Sequence, residues 1–205
     1  MASAQFEWVG GEACLDFTNT VSWNRQGPTQ ERLRSYSDLL AWAIEAEMLP
    51  DPRRLREGAR CRPRMAAATL ARAHRLRGML HDLFLGIARG KGPGAARLRD
   101  FNRALSGARG HLRVESRHRR FVWSWARPAQ DLARPLWAVV WSATHLLTSE
   151  DVARVRTCAN EDCGWLFVDR SRRRNRRWCD MSECGSREKA RRYYHRKRAR
   201  GSLRG

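Results

Sequence analysis

The spacing of apolar and polar positions changes period several times along this chain, and each change marks an element. Phe6-Glu-Trp-Val reads as a short extended lead-in, closed by Gly10-Gly11. A helix is then expected from about Glu12 to Val21, with Cys14 or Leu15, Thr18 and Val21 inward. A polar loop containing Gly27-Pro28 follows. Ser35-Tyr-Ser-Asp38 opens a second helix, in which Leu39, Leu40, Trp42, Ala43, Ala46 and Leu49 recur at helical spacing. Ser35 and Asp38 have capping-box form, with Asp replacing the commoner Glu or Gln, and Pro50 and Pro52 stop the helix. From Met65 to Ala88 the positions Leu70, Ala73, Leu76, Leu80, Leu83, Phe84 and Ile87 define a long amphipathic helix with Arg on its outer face. Gly90-Lys-Gly-Pro-Gly94 breaks the chain, and Leu98, Phe101 and Leu105 make a shorter helix ending at Gly107.

The period then drops to two. Leu112 and Val114, then Phe121, Trp123 and Trp125, alternate with polar residues across a charged turn, which predicts a β-hairpin. Helical spacing returns over residues 130–148, where Pro135 sits in the first turns and Trp137 and Trp141 share a face expected to be core. Val152 and Val155 lead into Cys158 without a Gly/Pro hinge, so the following unit is expected to dock on the helical part. The pattern divides the chain into a helical part, residues 1–150, and a C-terminal unit, residues 151–205. The fold class expected is mainly α.

That C-terminal unit carries the chemistry. Cys158 and Cys163 form one pair and Cys179 and Cys184 another, each with four intervening residues, and fifteen residues separate the pairs. Tetrahedral zinc takes four thiolates at about 2.3 Å, and a short loop between paired cysteines supplies two at once. The expected cofactor is therefore one structural Zn²⁺ held by Cys158, Cys163, Cys179 and Cys184. The N-terminus lacks a basic start followed by an apolar run, and no stretch approaches eighteen apolar residues. A reducing cytoplasm is the expected compartment, where clustered thiols mean metal more often than disulfides. Cys14 and Cys61 are expected to be buried free thiols.

Composition adds a polyanionic partner. The formal net charge is +20, and 38 of the 41 basic residues are arginine. Codon usage accounts for Arg over Lys but not for the excess over Asp and Glu. The last 54 residues hold 17 basic and 6 acidic side chains, so charge is densest around the cysteines. The loop between the pairs carries Arg172, Arg173, Arg174, Arg176 and Arg177, which repel one another unless solvated or bound to phosphate. The segment after Cys184 is helix-forming and places Arg187, Arg191 and Arg198 on one side, with Lys189, Arg192 and Arg196 as an adjoining stripe. Arg187, near the helix start, is the first choice for a base contact; the loop suits phosphate. On the first helix, Asp16 and Asn19 lie three apart among apolar residues. They could point into a ligand pocket, or tie down the helix ends or a neighbouring loop.

The string Cys-x4-Cys-Gly-Trp-Leu-Phe-x-Asp-x-Ser, followed by Arg-Arg-Trp-Cys-x-Met-x-x-Cys-Gly-x-Arg-x-Lys and a later Tyr, resembles the CGNR zinc-finger family of bacterial proteins. Cys14-Leu-Asp-Phe-Thr-Asn-Thr20, with Leu39-Leu-Ala-Trp-Ala43, resembles the all-helical ABATE domain that usually precedes that finger. The resemblance implies transcription regulation. It gives the full expected fold: a helical N-terminal part with one small β-hairpin, then a treble-clef-like four-cysteine zinc finger with a basic C-terminal helix. The family tetrapeptide Cys-Gly-Asn-Arg here reads Cys184-Gly-Ser-Arg187. Serine can cap a helix but cannot make a bidentate amide contact with adenine.

Three function classes follow. The first is a DNA-binding transcriptional regulator, with DNA favoured over RNA and with a small-molecule effector and a homodimer as further partners. The second is an RNA- or ribosome-associated protein, in which Trp178, Tyr193 and Tyr194 stack unpaired bases. The third, an enzyme, is disfavoured: four cysteines close the coordination sphere, and the histidines form no catalytic pattern. No membrane partner is expected. Substituting Cys179 by Ser should release the metal and unfold the finger while leaving the helical part folded.

Overall fold

The computed structural model describes residues 6–24, 26–49, 51–117, 119–125 and 131–201, with the backbone alone at 117, 195, 196 and 198–201. Pro50, expected to stop the second helix, lies outside the described residues. In chain order the elements are α1 (Ala13–Thr18), β1 (Val21–Asn24), β2 (Gly27–Glu31), α2 (Tyr36–Glu45), α3 (Arg53–Cys61), α4 (Pro63–Ala88), α5 (Ala95–Arg109), β3 (Leu112–Arg117), β4 (Arg120–Trp125), α6 (Arg134–Thr148), β5 (Val155–Thr157), β6 (Leu166–Val168) and α7 (Ser186–Gly201). A 3₁₀ turn covers Glu150–Arg154 and a π-helical turn covers Met181–Gly185. The protein is mainly α, with three separate antiparallel two-stranded sheets among the described residues.

Helix α4 is the axis of the helical part. Its 26 residues span about 39 Å at 1.5 Å per residue. Ala73, Leu80, Leu83 and Phe84 are fully buried against a core that includes Leu15, Phe17, Leu39, Trp42, Val139 and Leu146. Phe17 and Trp8 both pack on Trp42, with ring centroids at 5.1 and 6.2 Å. Tyr36 donates its hydroxyl to the Leu132 carbonyl, 3.0 Å away, tying α2 to the start of α6. The capping box at α2 forms as the sequence predicts: Asp38 N donates to Ser35 Oγ (3.2 Å) and Ser35 N to Asp38 Oδ2 (2.7 Å).

Four local readings change. The first helix ends at Thr18, because the Thr18 and Thr20 hydroxyls donate back to the Leu15 and Phe17 carbonyls and Val21 begins a strand. The segment expected to be a polar loop is the hairpin β1–β2, so the helical part carries two hairpins. Its sequence hid this because β2 is Gly-Pro-Thr-Gln-Glu, with no apolar alternation. It is held by a long-range ion pair, in which the buried Arg77 of α4 reaches Glu31 and donates to Thr20 Oγ1 at 3.0 Å. Burial works against the Glu31 charge, but Arg77 outweighs it and holds the carboxyl below its ordinary range. Helix α3 leaves no apolar periodicity in the sequence, because only Leu55 and Gly58 of its residues are buried. Finally, Cys14 is buried as expected, its thiol pushed up to about 12 by burial, whereas Cys61 is exposed at the end of α3.

Hairpin β3–β4 forms at the predicted place, with Val114 opposite Trp123 and Ser116 opposite Phe121. Its apolar face is only partly covered: Trp123 packs edge-on against Trp141 at 5.6 Å, yet Phe121 is 80% exposed. Trp137 is buried and Trp141 half-buried.

Candidate metal centre and nucleic-acid interface

The first cysteine pair lies in the connection between β5 and β6. Thr157 pairs with Leu166, and Cys158 N donates to the Trp165 carbonyl at 2.9 Å, so the strands close into a knuckle. Cys163 N donates to Asn160 O at 3.0 Å, and Asn160 Oδ1 accepts from Asp162 N at 3.0 Å, shaping the turn between the cysteines. Of the second pair, Cys179 precedes the π-helical turn that leads into α7 and Cys184 lies within it. Asp180 caps this turn by accepting from Glu183 N at 2.9 Å, which turns Cys184 back toward Cys179. A knuckle hairpin and the start of a helix, each supplying two cysteines, make the treble-clef-like finger that was expected.

The four sulfurs fit one zinc ion. All lie within 4.8 Å of one another, with Cys163–Cys179 at 3.7 Å and Cys179–Cys184 at 3.6 Å. A tetrahedron with metal–sulfur distances near 2.3 Å has edges of about 3.8 Å. A disulfide would need about 2.05 Å. The electrostatics give the same answer. Hydrogen bonds from Cys163 and Cys179 hold the Cys158 thiol far below its ordinary range, and donating those bonds pushes Cys163 and Cys179 up. Burial raises Cys184. Four thiolates at this spacing need a divalent cation between them, and Zn²⁺ supplies it. Trp165 and Phe167 pack behind the sulfurs, joined by Val9 and Trp23 from the N-terminal part.

The finger is docked, as the absent hinge predicted. Val155, Leu166 and Val168 belong to the same core as α1, α4 and α6. Asn19 makes the closest match: its Nδ2 donates to Leu166 O (2.9 Å) and its Oδ1 accepts from Leu166 N (3.1 Å). One side-chain amide thus completes the outer edge of β6 as another strand would. Trp165 Nε1 donates to Val21 O at 2.9 Å, and Gly164 N to Trp23 O at 3.1 Å. Gly164 is required here, since a Cβ would lie 2.7 Å from Trp23 Cβ. His81 of α4 stacks on Trp23 at 3.7 Å and donates Nε2–H to Gly164 O at 3.1 Å. Burial keeps its imidazole below the ordinary pKa.

Asp16 and Asn19 are therefore seam residues rather than walls of a ligand pocket. Both are buried, and both spend their polar atoms on backbone. Asp16 Oδ1 accepts from Gly10 N at 2.7 Å, while Gly10 O accepts from Val168 N at 2.8 Å. Burial, only partly offset by that hydrogen bond, pushes the Asp16 carboxyl up to about 6. Between pH 4 and 6 the folded protein then holds a proton that the unfolded chain has released, so this group lowers stability as pH rises through the window. The wild-type protein is expected to lose stability relative to Asp16→Asn from pH 4 to pH 6. Parallel profiles in urea titrations would contradict this.

The basic residues separate into two groups. Arg172, Arg173 and Arg174 are exposed and have no ion pair among the described residues. Their loop is rigid at its base: Asp169 accepts from Ser171 N (2.9 Å), Ser171 Oγ (2.6 Å) and Arg176 N (3.0 Å). Burial opposes the Asp169 charge, but these bonds hold its pKa below the ordinary value. Arg174 adopts φ 50°, which turns the chain at the loop tip. Arg177 is exposed and stacks over Trp178 at 5.3 Å, and Lys189 is exposed on α7 without an ion pair among the described residues.

Arg176 is different. Its guanidinium lies over Phe167 at 4.3 Å and donates to the carbonyls of Val9, Trp178 and Cys179. It is a bracket between the finger and the N-terminal segment, so its expected place at the nucleic-acid surface is corrected. Arg187 pairs with Glu183 at 2.7 Å, Arg191 with Glu161 (2.9 Å) and Glu188 (2.7 Å), and Arg192 with Glu188 (2.9 Å). Arg191 thereby ties α7 to the knuckle. The Arg187 pair is well exposed, and such pairs are worth about 0.3–0.5 kcal/mol, so a phosphate or base can displace Glu183. The Arg196 and Arg198 side chains lie outside the described residues. Ser186, standing where the family tetrapeptide has Asn, donates its hydroxyl to Met181 O at 3.3 Å and so helps close the π-helical turn.

Sequence reasoning did not single out Arg170, His81 or Trp23. Arg170 bonds the Gly11 carbonyl, Glu12 and Asp151, clamping the loop after β6 to both ends of the helical part. In an arginine-rich chain nothing local distinguishes it. His81 offered a signal, a histidine beside Leu80 on the inward face of α4.

Residues 11–150 match the ABATE family model, whose description is "Putative stress-induced transcription regulator". Residues 154–197 match the CGNR zinc finger. Among curated proteins, none matches the chain. No helix among the described residues is long and apolar enough to cross a membrane.

Proposed function

The chain belongs to the ABATE family and ends in a CGNR zinc finger, and on that basis we propose that it is a bacterial, cytoplasmic DNA-binding transcriptional regulator. In this reading the zinc finger is the reading head, and the helical part senses a small molecule or a partner. The protein binds and does no catalysis; its zinc, with all four positions taken by thiolate, is structural.

The observation that carries the reading is the trio Arg172, Arg173 and Arg174. They are exposed, uncompensated by described carboxylates, and set on a loop whose base is fixed beside the metal site. A phosphate backbone is the partner such a cluster fits, because each guanidinium can bind phosphate in bidentate fashion. The start of α7, with Arg187, supplies the element to enter a groove, and Lys189 and Arg177 flank it.

The test is a salt titration of binding to duplex DNA, followed by fluorescence anisotropy. Replacing Arg172, Arg173 and Arg174 together by Ala is expected to lower the slope of log K against log salt by about 0.9 per lost phosphate contact, so by up to about 2.7. Arg187→Ala is expected to relax sequence preference more than Arg174→Ala. An unchanged slope would remove the loop from the interface. One observation favours a second reading, an RNA- or ribosome-associated protein: Tyr193 and Tyr194 are 60% and 63% exposed on α7, available to stack unpaired bases. Competition by structured RNA in the same titration separates the two.

A further inference from the structure

Between α4, α5 and α6, away from the metal, lies an open cleft of about 680 Å³. That volume falls within the range of small-molecule sites, about 300–1,000 Å³. Its floor is apolar, made by Leu76 and Met79 of α4 and Leu136 and Trp137 of α6. The His111 ring lies flat on Trp137 at 3.7 Å and 9°, which adds a planar aromatic wall. The rim is cationic, with Arg72 and Arg75 from α4 and Arg103 from α5.

The charges at the rim are unequal. Arg103 is paired with Asp100. The Asp131 carboxylate is committed to the start of α6, where Oδ1 accepts from Ala133 N at 2.9 Å. Arg72 and Arg75 have no ion pair or hydrogen-bond acceptor among the described residues. Three positions apart, they lie on the same side of α4 as Leu76 and Met79. Two uncompensated guanidiniums above an apolar, partly aromatic floor select a ligand with an anionic head and a flat apolar body. A carboxylate matches their fork geometry, which an ammonium would not provide.

We propose that this cleft binds a small organic anion, its carboxylate held by Arg72 and Arg75 and its flat body packed against Leu76, Met79 and the stacked His111–Trp137 pair. The inference rests on the reading of the helical part as the sensing part, and it names the ligand class and the place. The position suits that reading. At 100° per residue, Arg72, Arg75, Leu76 and Met79 occupy the face of α4 opposite Arg77 and His81. Those two residues hold hairpin β1–β2 and the finger. One helix therefore carries the ligand face and the finger-docking face.

The experiment is calorimetric titration of the full zinc-loaded chain with 1-naphthoate, against neutral 1-naphthalenemethanol and inorganic phosphate. Saturable one-to-one binding of 1-naphthoate is expected, with the alcohol and phosphate each at least about tenfold weaker. Arg72→Ala and Arg75→Ala, both at exposed positions, are each expected to weaken 1-naphthoate by about tenfold. Ala104→Trp, which fills the cleft from α5, is expected to abolish binding, with thermal unfolding monitored in parallel. Phosphate binding as tightly as 1-naphthoate would reveal only a generic anion surface and overturn the proposal. So would absence of saturable binding, or affinity indifferent to both Arg substitutions. The titration contains no nucleic acid, so its failure leaves the DNA reading standing, and a failed salt titration leaves the cleft standing.

Discussion

Cys179→Ser is expected to strip the zinc ion, lower nucleic-acid affinity by at least about 100-fold and destabilise more than the finger. Metal binding to structural zinc sites is worth about 10–16 kcal/mol in isolated fingers, and that energy becomes folding energy where the site does not preform. Here the finger is not isolated. Val155, Leu166 and Val168 complete the core formed by α1, α4 and α6. Losing the metal frees the knuckle and withdraws those side chains, leaving Leu15 and its neighbours less covered. The expectation from sequence, a helical part left fully folded, is revised accordingly. Zinc content by mass spectrometry, thermal unfolding by far-UV circular dichroism and DNA anisotropy check the three parts. A variant with no bound zinc and wild-type affinity would sink the idea that the finger reads nucleic acid. A variant whose helical signal melts at the wild-type temperature would show that the shared core is energetically trivial.

Asn19→Ala comes second, with an expected loss of about 2–5 kcal/mol. The substitution leaves both Leu166 N and Leu166 O without their partners, in a residue that is fully buried. Each stranded buried polar group costs about 1–3 kcal/mol. The urea midpoint should fall while the denaturant slope stays constant, since the surface exposed on unfolding hardly changes. Asn19→Asp is an informative companion. It preserves the acceptor for Leu166 N but sets a carboxylate oxygen against the Leu166 carbonyl, so it should not rescue stability. A ligand-binding Asn19 would behave differently, changing affinity for a small molecule with little effect on the midpoint. A shift below about 0.5 kcal/mol would refute the seam role.

These two residues show where the sequence is readable. Cys179 and its partners could be found by spacing, because a knuckle constrains two ligands within six residues and the chemistry of thiolates does the rest. The helices of the N-terminal part were legible for the same reason: burial of Leu39 and Trp42, or Leu80 and Phe84, repeats with the local helical period. The Ser35–Asp38 box was legible because both its bonds close within three residues. Asn19 was visible as an unexplained polar residue on an apolar helix, but its partner lies 147 positions away. Hairpin β1–β2 was hidden because its stability comes from Arg77, which lies 46 positions beyond Glu31. The arginines differ in role without differing in local sequence. Arg174 and Arg176 sit two apart in one basic run, yet one is exposed at a loop tip with no ion pair among the described residues and the other is folded onto Phe167.

The sequence by itself determined the four zinc ligands, the helical character, the basic surface and the family resemblance, since each depends on residue type and short spacing. Only the tertiary structure decided that Asp16 and Asn19 join the helical part to the finger, that Arg176 points inward, and that Arg72 and Arg75 overhang an apolar cleft. The physical reason is that a side chain's role is set by what surrounds it. A buried amide or guanidinium must find a partner, and that partner is chosen by how distant segments pack, not by the residues beside it in the chain.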